Sequence, residues 1–191
     1  MPFPRRLALV LPLLLASCGD DEPLRRDFPP LRYEYLTKLR LNVASVELAA
    51  PPPPGPLDQI NPAPPAQALL RMAEDRLAAG GSLGRAVFVI DEARTVQIPG
   101  GLEGVLAVHL DVLTSEGTRA GFAEARVSRR VQGIGRDLVG ALYDITRQMM
   151  DDMNVEFEFQ VRRSLRDWLQ EPELAPPPPP VERQELAPPS P

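Results

Sequence analysis

Hydrophobic and polar positions alternate along some stretches of this chain and recur at helical spacing along others. In LRLNV, Leu39, Leu41 and Val43 alternate with Arg40 and Asn42, the period of a half-buried strand. Next, AQALLRMAEDRLAAGG carries Leu69, Ala73 and Leu77 at steps of four, flanked by Leu70 and Met72. Pro65 suits its first turn and Gly80-Gly81 its stop, so the spacing predicts an amphipathic helix whose stripe is core. From Ala86 to Ile90 both faces are apolar, which predicts a central, well-covered strand. In VLAVHLDVLT, Leu106, Val108, Leu110 and Val112 fall on one face, with Val105, Ala107, His109 and Asp111 on the other. FAEARVSRRV repeats the alternation: Ala123, Ala125 and Val127 inward, Glu124, Arg126 and Ser128 outward. The turns IPGGLEG and SEGTRAG are short, so these strands are expected to pair antiparallel.

Leu138, Leu142, Ile145, Met149, Met153, Phe157, Val161, Leu165 and Trp168 then recur at steps of three and four. That pattern predicts a helix over 136–170, roughly 50 Å long at about 1.5 Å per residue, with a bend near Asp151–Asn154. Val155–Val161 also fits a period of two, but helical phase persists on both sides and helix is the preferred reading. The order is β-α-β-β-β-α. The expected fold class is α+β: a two-layer arrangement with an antiparallel-rich four-stranded sheet and two helices on one face. The opposite sheet face is more polar, and can meet solvent, a partner or a proline-rich loop.

Proline placement sets the boundaries. Of 24 prolines, eight fall between Pro51 and Pro65 and nine between Pro172 and Pro191, while Pro99 stands alone between the clusters. Proline fixes φ and removes a donor, so neither cluster is helix or sheet interior. Residues 51–65 are expected as a solvated loop, partly polyproline II. Residues 171–191 are acidic and without aromatics, and are expected to form a disordered tail.

The N-terminus changes the picture most. MPFPRRLALVLPLLLAS has basic Arg5 and Arg6 before an apolar run from Leu7 to Leu15, the layout of a secretory leader. The run is shorter than the about 20 residues of a spanning helix, and Pro12 interrupts it. Leu15, Ala16, Ser17 and the sole cysteine, Cys18, follow. This resembles the lipobox of bacterial lipoproteins. The resemblance implies cleavage between Ser17 and Cys18, a diacylglycerol on the Cys18 thiol and an acylated new amino terminus. Several chains give a durable anchor, since each buried lipid CH₂ is worth about 0.8 kcal/mol. The expected organisation is a leader over 1–17, a lipidated tether over 18–30, one domain over 31–170 and the tail over 171–191. Lipoproteins of the kind this stretch resembles are retained in the inner membrane by an aspartate directly after the cysteine; Gly19 departs from that signal, so the resemblance implies the outer membrane over the inner.

Charge and chemistry narrow the function. The formal net charge is −5, and loss of Arg5 and Arg6 with the leader takes it to about −7. That balance disfavours nucleic acid, whose binding rests on phosphate neutralisation. The only histidine, His109, shares a strand face with Asp111, a pair expected to be solvated rather than catalytic. No zinc spacing, phosphate loop, nucleophile elbow or dinucleotide fingerprint is present, so no catalytic residue, metal or cofactor is expected. Asp151-Asp152 with Glu156 and Glu158 reads as a solvated acidic face.

A lipidated cysteine, a brief tether and β-α-β-β-β-α, with GVLAVHLDVLTSEGTRAGFAEARVSRRV before a long last helix, is similar to the auxiliary lipoproteins of ABC-type envelope transport systems. It also resembles the lipoprotein partner of the lipopolysaccharide translocon. The resemblance implies a non-enzymatic accessory with an envelope protein partner. The alternatives are a lipoprotein regulator of peptidoglycan synthesis and a small-ligand binder using the face around Val105, Ala107 and His109.

Overall fold

A computed structural model describes residues 26–170. The leader 1–17, Cys18 with its lipobox residues Leu15, Ala16 and Ser17, and the tail 171–191 lie outside the described residues. The chain runs β1 (Leu39–Leu41), β2 (Ser45–Leu48), α1 (Pro65–Arg76), β3 (Leu77–Ala79), β4 (Arg85–Ile98), β5 (Gly101–Leu113), β6 (Arg119–Gln132) and α2 (Leu138–Ser164), then a 3₁₀ turn, Arg166–Trp168. The class is α+β. A four-stranded sheet of order β2-β4-β5-β6 carries the helices, and β1 and β3 form a second, two-stranded sheet.

The two alternating stretches form β5 and β6, the stretch apolar on both faces forms β4, and the three pair antiparallel. The β4–β5 turn places Pro99 at its first corner and Gly100, at φ +76°, at its second, a conformation that favours glycine. Strand β2 runs parallel to β4, because the chain crosses back through α1 between them. Leu106, Val108, Leu110 and Val112 are fully buried against the helices, as are Ala123 and Ala125. Phe88 of β4 meets Phe157 of α2 edge-on, with ring centroids 5.7 Å apart. Gly104 lets α2 close in, since a Cβ there would sit 2.5 Å from the Met149 sulfur.

The first strand departs from expectation. The Val43 amide turns back onto the Leu41 carbonyl, 2.8 Å away, so the alternating run 39–43 splits. Its first part pairs with β3, and only Ser45–Leu48 joins the main sheet. Helix α1 ends at Arg76 rather than at Gly80-Gly81, because Leu77–Ala79 is drawn into parallel pairing with Leu39–Leu41. Helix α2 is also shorter than expected. It spans 27 residues, about 40 Å, and runs without interruption through Asp151–Asn154 and Val155–Val161. Asp137 caps it, accepting a hydrogen bond from the Gly140 amide at 2.8 Å. Leu165 and Trp168 keep the apolar spacing beyond its end, because a 3₁₀ turn also advances by three.

The proline-rich loop is only partly solvated. Asp58, Asn61 and Ala63 are buried, and Asn61 Nδ2 donates to Thr146 Oγ1 of α2 at 3.1 Å. Arg76, 1% exposed, lies inside the helical layer. It donates to the Asn154 carbonyl and Oδ1 and to the Thr37 carbonyl, each at 3.2 Å, and pairs with Glu158.

Candidate functional site: the open sheet face

The helices cover one face of the sheet and leave the other open. Strand β5 places His109 on the open face, with Val89 on β4 and Glu124 on β6 as its register partners. Between Ile90 and Glu92 the register slips, so Asp91 is an extra residue in β4. Such a bulge re-aims a side chain. Here it brings the Asp91 carboxylate to 2.8 Å from His109 Nδ1. On the other side, His109 Nε2 lies 3.8 Å from Asp111 Oδ2, beyond hydrogen-bond reach. The Phe122 ring leans on the imidazole at 5.6 Å between centroids. The Arg119 guanidinium sits 5.1 Å over that ring and 3.5 Å from Asp111 Oδ1.

A carboxylate orienting an imidazole is half of a nucleophile-activating arrangement. The other half is not assembled: Asp91 is the only hydrogen-bond partner of His109 among the described residues. No group of three His, Cys, Asp or Glu able to hold a metal occurs among them either. What the arrangement can do is present ordered charge. Arg126 crosses from β6 over Ala107 of β5 to reach Glu92 of β4 at 2.7 Å. Arg94 also binds Glu92, at 2.5 Å, and Arg130 binds Glu103 at 2.7 Å. Hydrogen bonds from Arg94 and then Arg126 outweigh the opposing effect of burial and hold the Glu92 carboxyl below its ordinary range. This lattice roofs Val105 and Ala107, which are only 5% and 8% exposed on a face that no helix covers among the described residues.

Two positions the sequence singled out, His109 and Asp111, thus share one cluster. Asp91, Phe122 and Arg119 complete it and were not legible as members. The acidic run on α2 is tied down residue by residue: Asp152 to Arg129 at 2.5 Å, Asp151 to Arg147 at 3.5 Å, and Glu158 to Arg162 at 2.8 Å. Glu156 accepts from Gln160.

A second feature fixes how the domain meets its N-terminal extension. Arg26 donates to both carboxylate oxygens of Asp144 at 2.5 Å and lies 3.5 Å from Asp137. Phe28 packs on Tyr143 with centroids 5.2 Å apart, and the Tyr143 hydroxyl donates to the Pro29 carbonyl at 2.8 Å. The segment 26–30 is therefore docked along the N-terminal half of α2.

No protein-family model matches the chain, and no curated protein matches it. Among solved structures, an uncharacterized lipoprotein B from Nitrosomonas europaea aligns at 13% identity and a TM-score of 0.34, over 65% of this chain and 86% of that one. A minor lipoprotein from Acinetobacter baumannii aligns at 13% and 0.31, over 69% and 99%. A PelC dodecamer from Paraburkholderia phytofirmans aligns at 12% and 0.31, over 64% and 90%.

Proposed function

We propose that this protein is a non-enzymatic, lipid-anchored accessory of the bacterial cell envelope that works within a lipid or lipopolysaccharide transport or assembly complex. In this reading Cys18 carries the lipid, the domain faces the periplasm and the outer membrane holds the anchor. The docked segment carries the reading. Eight residue steps separate Cys18 from Arg26, which span at most about 28 Å when extended. Arg26, Phe28 and Pro29 then clamp the chain to α2. A lipid on Cys18 would therefore hold the domain close to a membrane by one defined side, leaving the open sheet face for a protein partner. Alternating charges on that face suit a partner of complementary pattern, because such patterns set register and suppress wrong contacts. Val105 and Ala107, which a ligand bound to this face would have to reach, are roofed by Arg126 and its neighbours.

In-cell photo-crosslinking from positions 94 and 122, with captured proteins identified by mass spectrometry, tests the reading. Capture of an outer-membrane barrel or an ABC-type transport subunit is expected. Capture of a peptidoglycan synthase, or of nothing specific, overturns it.

A further inference from the structure

The 3₁₀ turn after α2 folds back onto β1. The Asn42 amide donates to the Trp168 carbonyl at 2.7 Å, and the Gln170 amide to the Arg40 carbonyl at 2.9 Å. This fixes a groove of about 230 Å³ between β1 and the end of α2. Leu39 and Leu169 form its apolar part, and Lys38, Arg40, Arg162 and Arg166 supply four cationic side chains.

These cations stand out from the others. Arg162 is bound to Glu158. Lys38, Arg40 and Arg166 have no carboxylate within 4.0 Å among the described residues. Every other described lysine or arginine has one, except Arg136 and Arg163. Of the five cations without a carboxylate partner among the described residues, three thus gather around one concavity in a protein of net charge −5. The helix dipole accounts for Arg162 and Arg163 in the last turn of α2. It does not account for Lys38 and Arg40, which approach from β1 and the residue before it.

We propose that this groove binds a phosphate-bearing anion, carried by a phospholipid headgroup or by a soluble phosphate compound. Planar guanidinium groups match phosphate oxygens two at a time, and a lysine adds a mobile point charge. The volume is below the 300 Å³ or so at which drug-sized ligand pockets begin, which suits a small anionic group. The site depends neither on the lipid anchor nor on the open sheet face. The acidic stretch nearest to it in sequence, Glu171 and Glu173 directly after Gln170, is an intramolecular rival.

Calorimetric titration of the full chain in nonionic detergent tests it. The probes are inorganic pyrophosphate and glycerophosphoglycerol, the deacylated headgroup of phosphatidylglycerol. Either should bind, and Arg40→Gln/Arg166→Gln should weaken binding by about tenfold or more, the loss expected of one or two charge-assisted bonds. Circular dichroism and the melting temperature should match the wild type, since both arginines are exposed. Binding of glycerophosphoglycerol assigns the headgroup source, and binding of pyrophosphate alone assigns the soluble one. Absence of binding by both probes overturns the proposal, as does binding that survives the double substitution. Binding seen only after Glu171→Gln/Glu173→Gln also overturns it, since the chain's own tail is then the occupant.

Discussion

The two faces of the four-stranded sheet are made from alternate residues of the same strands, yet they exclude water by different means. On the covered face, Phe88, Leu106 and Leu110 meet Ile145, Met149 and Phe157, and burial is apolar. The most deeply buried charge of that layer, Arg76, is matched by Glu158, Asn154 and the Thr37 carbonyl. On the open face no second layer exists among the described residues, and Arg126 and Arg94 converge on Glu92 across strands whose Val105 and Ala107 are buried. Burial by a helix is fixed by packing. Burial beneath ion pairs at a surface is held by weak, exchangeable contacts. The open face can therefore yield its charged roof to a partner while the fold stays intact.

Substitutions on the two faces should separate these modes. Phe157→Ala should cost about 3–5 kcal/mol in urea unfolding, the loss of a buried aromatic plus the cavity it leaves. Arg76→Ala should cost about 2–4 kcal/mol in the same measurement, because buried acceptors on Asn154 and Thr37 lose their donor. A smaller effect of Arg76→Ala than of any open-face arginine would undo the contrast.

Glu158 sharpens it with pH. Burial pushes its carboxyl up, but hydrogen bonds from Arg76 and Arg162 outweigh burial and hold it below the ordinary range. A carboxyl depressed in the folded state adds stability above its unfolded value near about 4.3, and that contribution is lost as pH falls through the lower folded value. Between about pH 5 and pH 3 the wild type should lose more stability than Glu158→Gln. Parallel pH curves for the two proteins would count against the buried pairing. The smallest change belongs to the open face: Arg126→Ala should cost at most about 1 kcal/mol by urea unfolding. A loss as large as that of Phe157→Ala would make the open face part of the structural core.

The sequence made the antiparallel part of the fold legible because β5 and β6 alternate cleanly. Leu106–Val112 and Ala123–Val127 name their own buried sides. Strand β4 hides its phase. Val87, Val89 and Ile90 are apolar on both faces, so the one-residue slip that turns Asp91 toward His109 leaves no mark in the pattern. The β1–β3 pairing was hidden for a different reason. Leu77 sits at a helical step from Ala73, and only a distant partner, Leu39, makes it extended. The burial of Arg76 was readable after the fact: it falls on the same helical stripe as Leu69, Met72 and Ala73. In the candidate site, His109 and Asp111 were legible from one strand, whereas Asp91, Arg119 and Phe122 come from two others.

The proposed role stands on the lipid anchor, and the mass of the N-terminal peptide tests it most directly. In membranes of the producing cell, the account predicts a peptide beginning at Cys18 that carries diacylglycerol and an amide-linked acyl chain. It also predicts that Cys18→Ser yields neither that mass nor cleavage after Ser17. An unmodified Cys18, or a mature chain beginning elsewhere, would contradict the account.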